Sequence, residues 1–182
     1  MSAGHGGHVD PSNKKIALLI ALLALVLAFS ETLGKAAQTS ALTLNIEASN
    51  LWAFFQAKTI RQTVLRTAAE QTAVSASSGD SKRQIETWRK TADRYQSEPE
   101  TSEGRKELAD RAKAAEAKRD RAMAAYHQYE LASAAVQIAI VLASAAIITG
   151  AMALTWIGVG LGVVGVVFCV IGFFFPMAVH LF

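Results

Sequence analysis

One cysteine and three prolines in 182 residues leave little to cross-link or interrupt this chain. Cys169 has no second cysteine to pair with, so no intramolecular disulfide staples the fold. Few prolines, beside a hydrophobic content of 52% gathered in blocks, argue against a sandwich or barrel and for helices. Motifs that carry chemistry are missing too. There is no glycine-rich phosphate loop, no nucleophile and base at a recognisable spacing, and no metal-ligand motif. We expect no enzymatic activity and no cofactor.

Charge is absent from three long stretches. Every residue from Ile16 to Phe29 is apolar, and no formal charge occurs from Leu131 to Leu154 or from Trp156 to Phe182. A helix rises about 1.5 Å per residue, so roughly 20 residues cross a hydrocarbon core of about 30 Å. The expected organisation is an N-terminal tail (1–15), a first span (16–34), an extramembrane insert (35–130), and two further spans (131–154 and 156–179). Thr155-Trp156 would be the connection between the last two. Lys14-Lys15 ahead of the first apolar run also fits a signal peptide, but FSETLGKAAQ places small residues poorly for a cut. A retained anchor is the reading adopted.

The charges collect in the insert. Lys35 to Glu130 holds 16 of the 18 basic and 13 of the 15 acidic residues, with both signs interspersed as in KELADRAKAAEAKRDRA. That is a solvated helical surface, with Glu107 and Arg111, and Glu116 and Arg119, at pairing distance along a helix. A nucleic-acid stripe would be more lopsided, so no nucleic-acid partner is expected.

No Gly or Pro occurs from Ala36 to Ala76, so the first span should continue outward as one long helix. Leu42, Ile46, Ala53, Ile60, Val64 and Thr67 fall at helical spacing and are the expected inward stripe. Turn residues place breaks near 77–81 and 97–104, with a second helix from Lys82 to Gln96 and a third starting near Thr101 or Ser102. The fold class is therefore all-α: three transmembrane helices with a long, coiled-coil-like helical hairpin inserted between the first and second. A compact three-helix bundle is the alternative form of the insert. Two thin helices bury little, so the insert should need partners, first of all copies of itself.

Small residues mark the spans for close helix packing. Ala135, Ala139 and Ala143 repeat every four residues in the second; Gly158 and Gly162 form GxxxG in the third, where Gly158, Gly165 and Gly172 repeat every seven. Lipid gives helices no hydrophobic reason to associate, and small side chains that let backbones approach are the usual device. These seven residues are the candidate helix-packing and oligomer interface. Glu31 reads as an interfacial carboxylate beside Lys35, and Gln137 as a hydrogen-bonding bridge between helices. His5 and His8 in the Gly-rich tail fall short of a four-ligand metal site, and His127 and His180 are isolated.

The insert has one chemically concentrated segment, EASNLWAFFQAKTIRQ. Trp52 and Phe55 share a face, Leu51 and Phe54 another, and Lys58 and Arg61 follow a turn later. An apolar anchor flanked by cations suits core packing of the hairpin or contact with a partner through Trp52, Phe54, Phe55, Lys58 and Arg61.

ASNLWAFFQAKTIRQ, together with AVQIAIVLASAAIITGAMALTWIGVGLGVVGVVFCVIGFF and the His/Gly-rich start, resembles a bacterial membrane family known as domain-of-unknown-function family 4337. The resemblance covers the whole chain. It implies three spans and a helical insert, and brings no activity or catalytic residue with it. It also implies Lys or Arg in the turn between the last two spans, where this sequence has Ala153-Leu154-Thr155-Trp156.

Orientation rests on charges close to the first span, because long loops translocate largely regardless of charge. Lys14 and Lys15 precede it, against Glu31, Lys35 and Glu47 after it, which favours a cytoplasmic N-terminus and a periplasmic insert in a bacterial inner membrane. Five basic residues from Arg111 to Arg121 pull the other way. The expected function is a non-enzymatic membrane scaffold that self-associates through its insert and glycine-rich spans. The alternatives are an accessory subunit docked on a larger membrane complex and, further off, a channel.

Overall fold

The computed structural model describes residues 11–75 and 78–178. It holds four helices, α1 (Pro11–Ser75), α2 (Gly79–Gln96), α3 (Arg105–Thr149) and α4 (Met152–Phe174), and no strand among the described residues. Helices α1, α3 and α4 are each long and apolar enough to cross a membrane. The tail with His5 and His8, and His180 at the other end, lie outside the described residues.

Local signals explain the boundaries. Ser78 caps α2, its side chain accepting from the Ser81 amide, which puts the start at Gly79 rather than Lys82. Thr101 and Ser102 do not open α3. Ser102 takes a left-handed backbone (φ 55°), and the helix begins at Arg105 with the Gly104 carbonyl accepting from the Leu108 amide at 2.8 Å. Gly104 is required there, since a Cβ would run into the backbone of Ser97 and Glu98.

The last connection is also corrected. It lies at Gly150-Ala151, and residues 152–155 belong to α4. Gly150 has φ +70° and its amide donates to the Ala146 carbonyl, so it is the left-handed glycine that ends a helix, not a continuation of the small-residue packing pattern. At the far end Pro176 follows the last turn of α4.

The contacts divide into two units, each with its own core: Met1–Ser40 with Arg121–Phe182, and Ala41–Asp120. In the first, Ile16 packs with Ala143 and Ala146, and Leu23 with Val136 and Ala139. The second is the insert, a hairpin with a broken return arm. Its near part packs Ala48 and Leu51 of α1 against Leu108, Ala112 and Ala115 of α3. Further along α1, Gln62 donates to the Ala92 carbonyl and Arg66 lies 3.8 Å from Asp93, both in α2.

The buried stripe of α1 is not the expected one. Ala41, Ala48, Leu51, Lys58, Gln62 and Ala69 are buried, and Leu44, Phe55, Leu65 and Thr72 are half-buried, a strict alternation of three and four residues. Leu42, Ile46, Ala53, Ile60, Val64 and Thr67 are exposed instead. Both sets have helical spacing, and apolarity alone pointed to the wrong one. The inner stripe carries a lysine and a glutamine whose polar ends are satisfied by α2 and the 97–104 connection.

Candidate functional site: a polar junction and an exposed helix face

Where α1, α2 and α3 meet, the insert builds a polar junction inside its own seam. Lys58, only 9% exposed, reaches Glu98 at 3.3 Å and Glu103 at 3.7 Å, with its ammonium 5.5 Å from the centre of the Tyr95 ring. Arg94 approaches the other oxygen of Glu98 at 3.6 Å. The Gln62 amide donates to the Ala92 carbonyl and to Gln96 Oε1, and its own oxygen accepts from Arg105. Arg105 also donates to Thr59 Oγ1 at 2.8 Å and lies over the Phe55 ring at 4.9 Å. Buried Lys58 has carboxylates and a ring beside it, and half-buried Arg105 a ring, as burial requires.

One turn nearer the start of the insert, Trp52 meets Phe55 edge to face at 5.4 Å and donates through its indole N–H to Glu116. The expected helical pair of Glu116 with Arg119 is thereby replaced; Arg119 turns to Asp120 and Asn45. Glu107 does not pair with Arg111 either. It accepts from the Ser97 hydroxyl and the Glu98 amide, closing the connection between α2 and α3, and the Ser97 hydrogen bond holds its carboxyl below the usual carboxylate range.

The five residues singled out in this segment therefore separate. Trp52, Phe55 and Lys58 face the return arm; Phe54, 62% exposed, and Arg61 face away from it. Around them runs a second seam. Ile46, Ala53, Ile60, Thr67 and Val74 recur every seven residues, with Asn50, Ala57, Val64 and Gln71 between them, and all nine are exposed. At 3.6 residues per turn this seam lies about half a turn from the buried one. α1 is thus a helix with two opposite seams, one used and one open. Sequence reasoning missed Arg105, Gln62, Gln96 and Glu98; a seven-residue reading started at Ala41 would have put Lys58 and Gln62 inside and pointed to them.

The small residues of the spans are spent within the chain. A Cβ on Gly158 would lie 3.1 Å from the Ala139 carbonyl oxygen, on Gly162 2.6 Å from Leu23 Cδ2, and on Gly172 3.0 Å from the Tyr129 ring; on Gly165 it would strike Val136. Ala139 and Ala143 are buried in the same unit and Ala135 is half-buried. All four glycines serve contacts among α1, α3 and α4 within the chain. Between helices, Ser30 bonds to Ser133 at 2.9 Å, and Gln137 donates to Glu31 at 3.4 Å, so Glu31 meets Gln137. Among the described residues no three of His, Cys, Asp and Glu converge on a metal-sized site.

The sequence model of one protein family, described as Domain of unknown function (DUF4337), matches residues 12–175. No curated protein matches, and no solved structure does.

Proposed function

We propose a role for a chain that belongs to the DUF4337 family: it is a non-enzymatic integral membrane protein that assembles with copies of itself through the helical insert. The observation that carries this reading is the second seam of α1. Ile46, Ile60 and Val64 are 61%, 65% and 60% exposed on one helical face of the insert. Apolar surface left in water costs about 25 cal/mol per Å², and contiguous exposed patches mark interaction sites. The same seven-residue spacing on another copy supplies a matching surface. Phe54 and Arg61, seven residues apart on that side, would flank the contact.

The protein sits, on this reading, in a bacterial inner membrane with its N-terminus in the cytoplasm and its insert in the periplasm, since Lys14 and Lys15 precede the first span. A Gly79→Cys, Cys169→Ser protein tests the side, because a Cβ at Gly79 meets nothing within 4 Å. A membrane-impermeant thiol reagent should label it on intact cells.

Mass in mild detergent tests the assembly. A homogeneous homo-oligomer that falls to monomer when Ile60 and Val64 become Glu, with helicity unchanged, is the expected result. An oligomer indifferent to both substitutions would refute the seam as its interface. A monomer that co-purifies with other subunits would favour an accessory subunit docking on a larger complex.

A further inference from the structure

Between α1 and α4, on the outer surface of the membrane unit, two cavities join end to end. The first, about 480 Å³, is lined by Lys15, Ile16, Leu19, Thr155, Trp156 and Val159 among others. The second, about 290 Å³, continues along Leu22, Val26, Val163 and Val167, and shares Leu19 and Val159 with the first. One end of this groove is cationic and aromatic; the rest is hydrocarbon. Neither cavity is lined by an acidic residue, and no ion pair to Lys15 exists among the described residues.

The length of the groove is informative. From Lys15 to Val26 α1 rises about 16 Å, close to half of a hydrocarbon core of about 30 Å. That is the depth of one leaflet. Trp156 at the same end as Lys15 fits the headgroup level, where tryptophan and lysine concentrate.

We propose that this groove binds one anionic phospholipid, its phosphate held by Lys15 and an acyl chain lying along Leu19, Val159 and Val163. The inference rests on the reading that these helices span a membrane. It is independent of how the insert associates. A zwitterionic phospholipid offers the same chain but no net charge for Lys15. An anionic headgroup beside one basic residue gains about 1 kcal/mol, which is about fivefold in occupancy.

Trp156 reports on the site directly. In a Trp52→Phe, Trp88→Phe protein reconstituted in phosphatidylcholine vesicles, its fluorescence is followed as a few per cent of the lipid is replaced by phosphatidylglycerol or phosphatidylcholine with brominated acyl chains. Saturable quenching about fivefold stronger for the phosphatidylglycerol is expected, reduced to parity by Lys15→Gln and kept by Lys15→Arg. Equal quenching by both lipids, or a preference that survives Lys15→Gln, would overturn the proposal. Vesicles made wholly of brominated phosphatidylcholine separate the two levels. No quenching there would sink the membrane reading itself or show the groove covered by another copy, and quenching there without headgroup preference would sink the lipid site alone.

Discussion

The indole N–H of Trp52 donates to Glu116 Oε1 at 2.8 Å, tying α1 to α3 across 64 residues of sequence. Hydrogen bonds to a charged acceptor contribute more than neutral ones, about 1.5–3 kcal/mol when well shielded. This one is half-exposed, so Trp52→Phe should cost about 1–2 kcal/mol, including the smaller ring. Glu116→Gln keeps an acceptor and should cost less. Denaturant unfolding of both variants followed by circular dichroism gives the comparison; equal losses would mean the ring, not the hydrogen bond, matters.

Gly160 and Gly165 lie five residues apart on α4 and should respond oppositely to alanine. Nothing approaches within 4 Å of a Cβ at Gly160, whereas at Gly165 it meets Val136 and the Ala132 carbonyl. Gly165→Ala should destabilise the membrane unit by about 1–3 kcal/mol through overpacking. Gly160→Ala should be neutral or slightly stabilising, by up to about 1 kcal/mol of helix propensity. Thermal unfolding in detergent separates them, and similar midpoints for the two variants would show that α4 packs elsewhere.

Lys58 and Glu98 should be energetically coupled. Removing either leaves the other near the seam with a weakened partner set, though Glu98 keeps Arg94 and some solvent. A double-mutant cycle with Lys58→Met and Glu98→Gln should return a coupling of about 1–2 kcal/mol. A value near zero would mean that solvent screens the pair, as it does for most surface ion pairs.

Acid should loosen the connection between α2 and α3. The Glu107 carboxyl is held below its usual range, first by the Ser97 hydroxyl. A lowered folded pKa means that the stabilisation is present above the unfolded value and is lost as pH falls through the folded one. The Glu98 amide, which donates to Glu107 at 3.1 Å, should lose hydrogen-exchange protection as pH falls below the usual carboxylate range and through the lowered folded value, after correction for intrinsic rates. Glu107→Gln should abolish that dependence.

Much of the architecture was legible because hydrophobic runs and breakers act locally. The uncharged stretches and the turn residues at 97–104 needed no tertiary information. The inner face of α1 was not legible in the same way. Ile46 and Ile60 are more apolar than Lys58 and Gln62, so any hydrophobicity count chooses them; only the return arm, with Glu98 and Gln96 waiting, makes the polar face the buried one. Gly150 is not legible as a helix end for a related reason. Its spacing from Ala146 fits a packing ridge, and the positive φ that makes it a helix end is a property of the folded backbone. Gly158, Gly162, Gly165 and Gly172 lie against α1 and α3, and which helix each of them meets depends on the fold.

Lys58 and Gln62 also fix how the two arms of the insert align. A seam of alanines and leucines repeating every seven residues would tolerate sliding by one repeat, since each layer resembles the next. A slide here would carry the ammonium of Lys58 away from Glu98 and Glu103 and the amide of Gln62 away from Ala92 and Arg105. Stranding those groups costs more than the small side chains of any shifted layer could recover. The hairpin is therefore confined to a single register by its least hydrophobic layer.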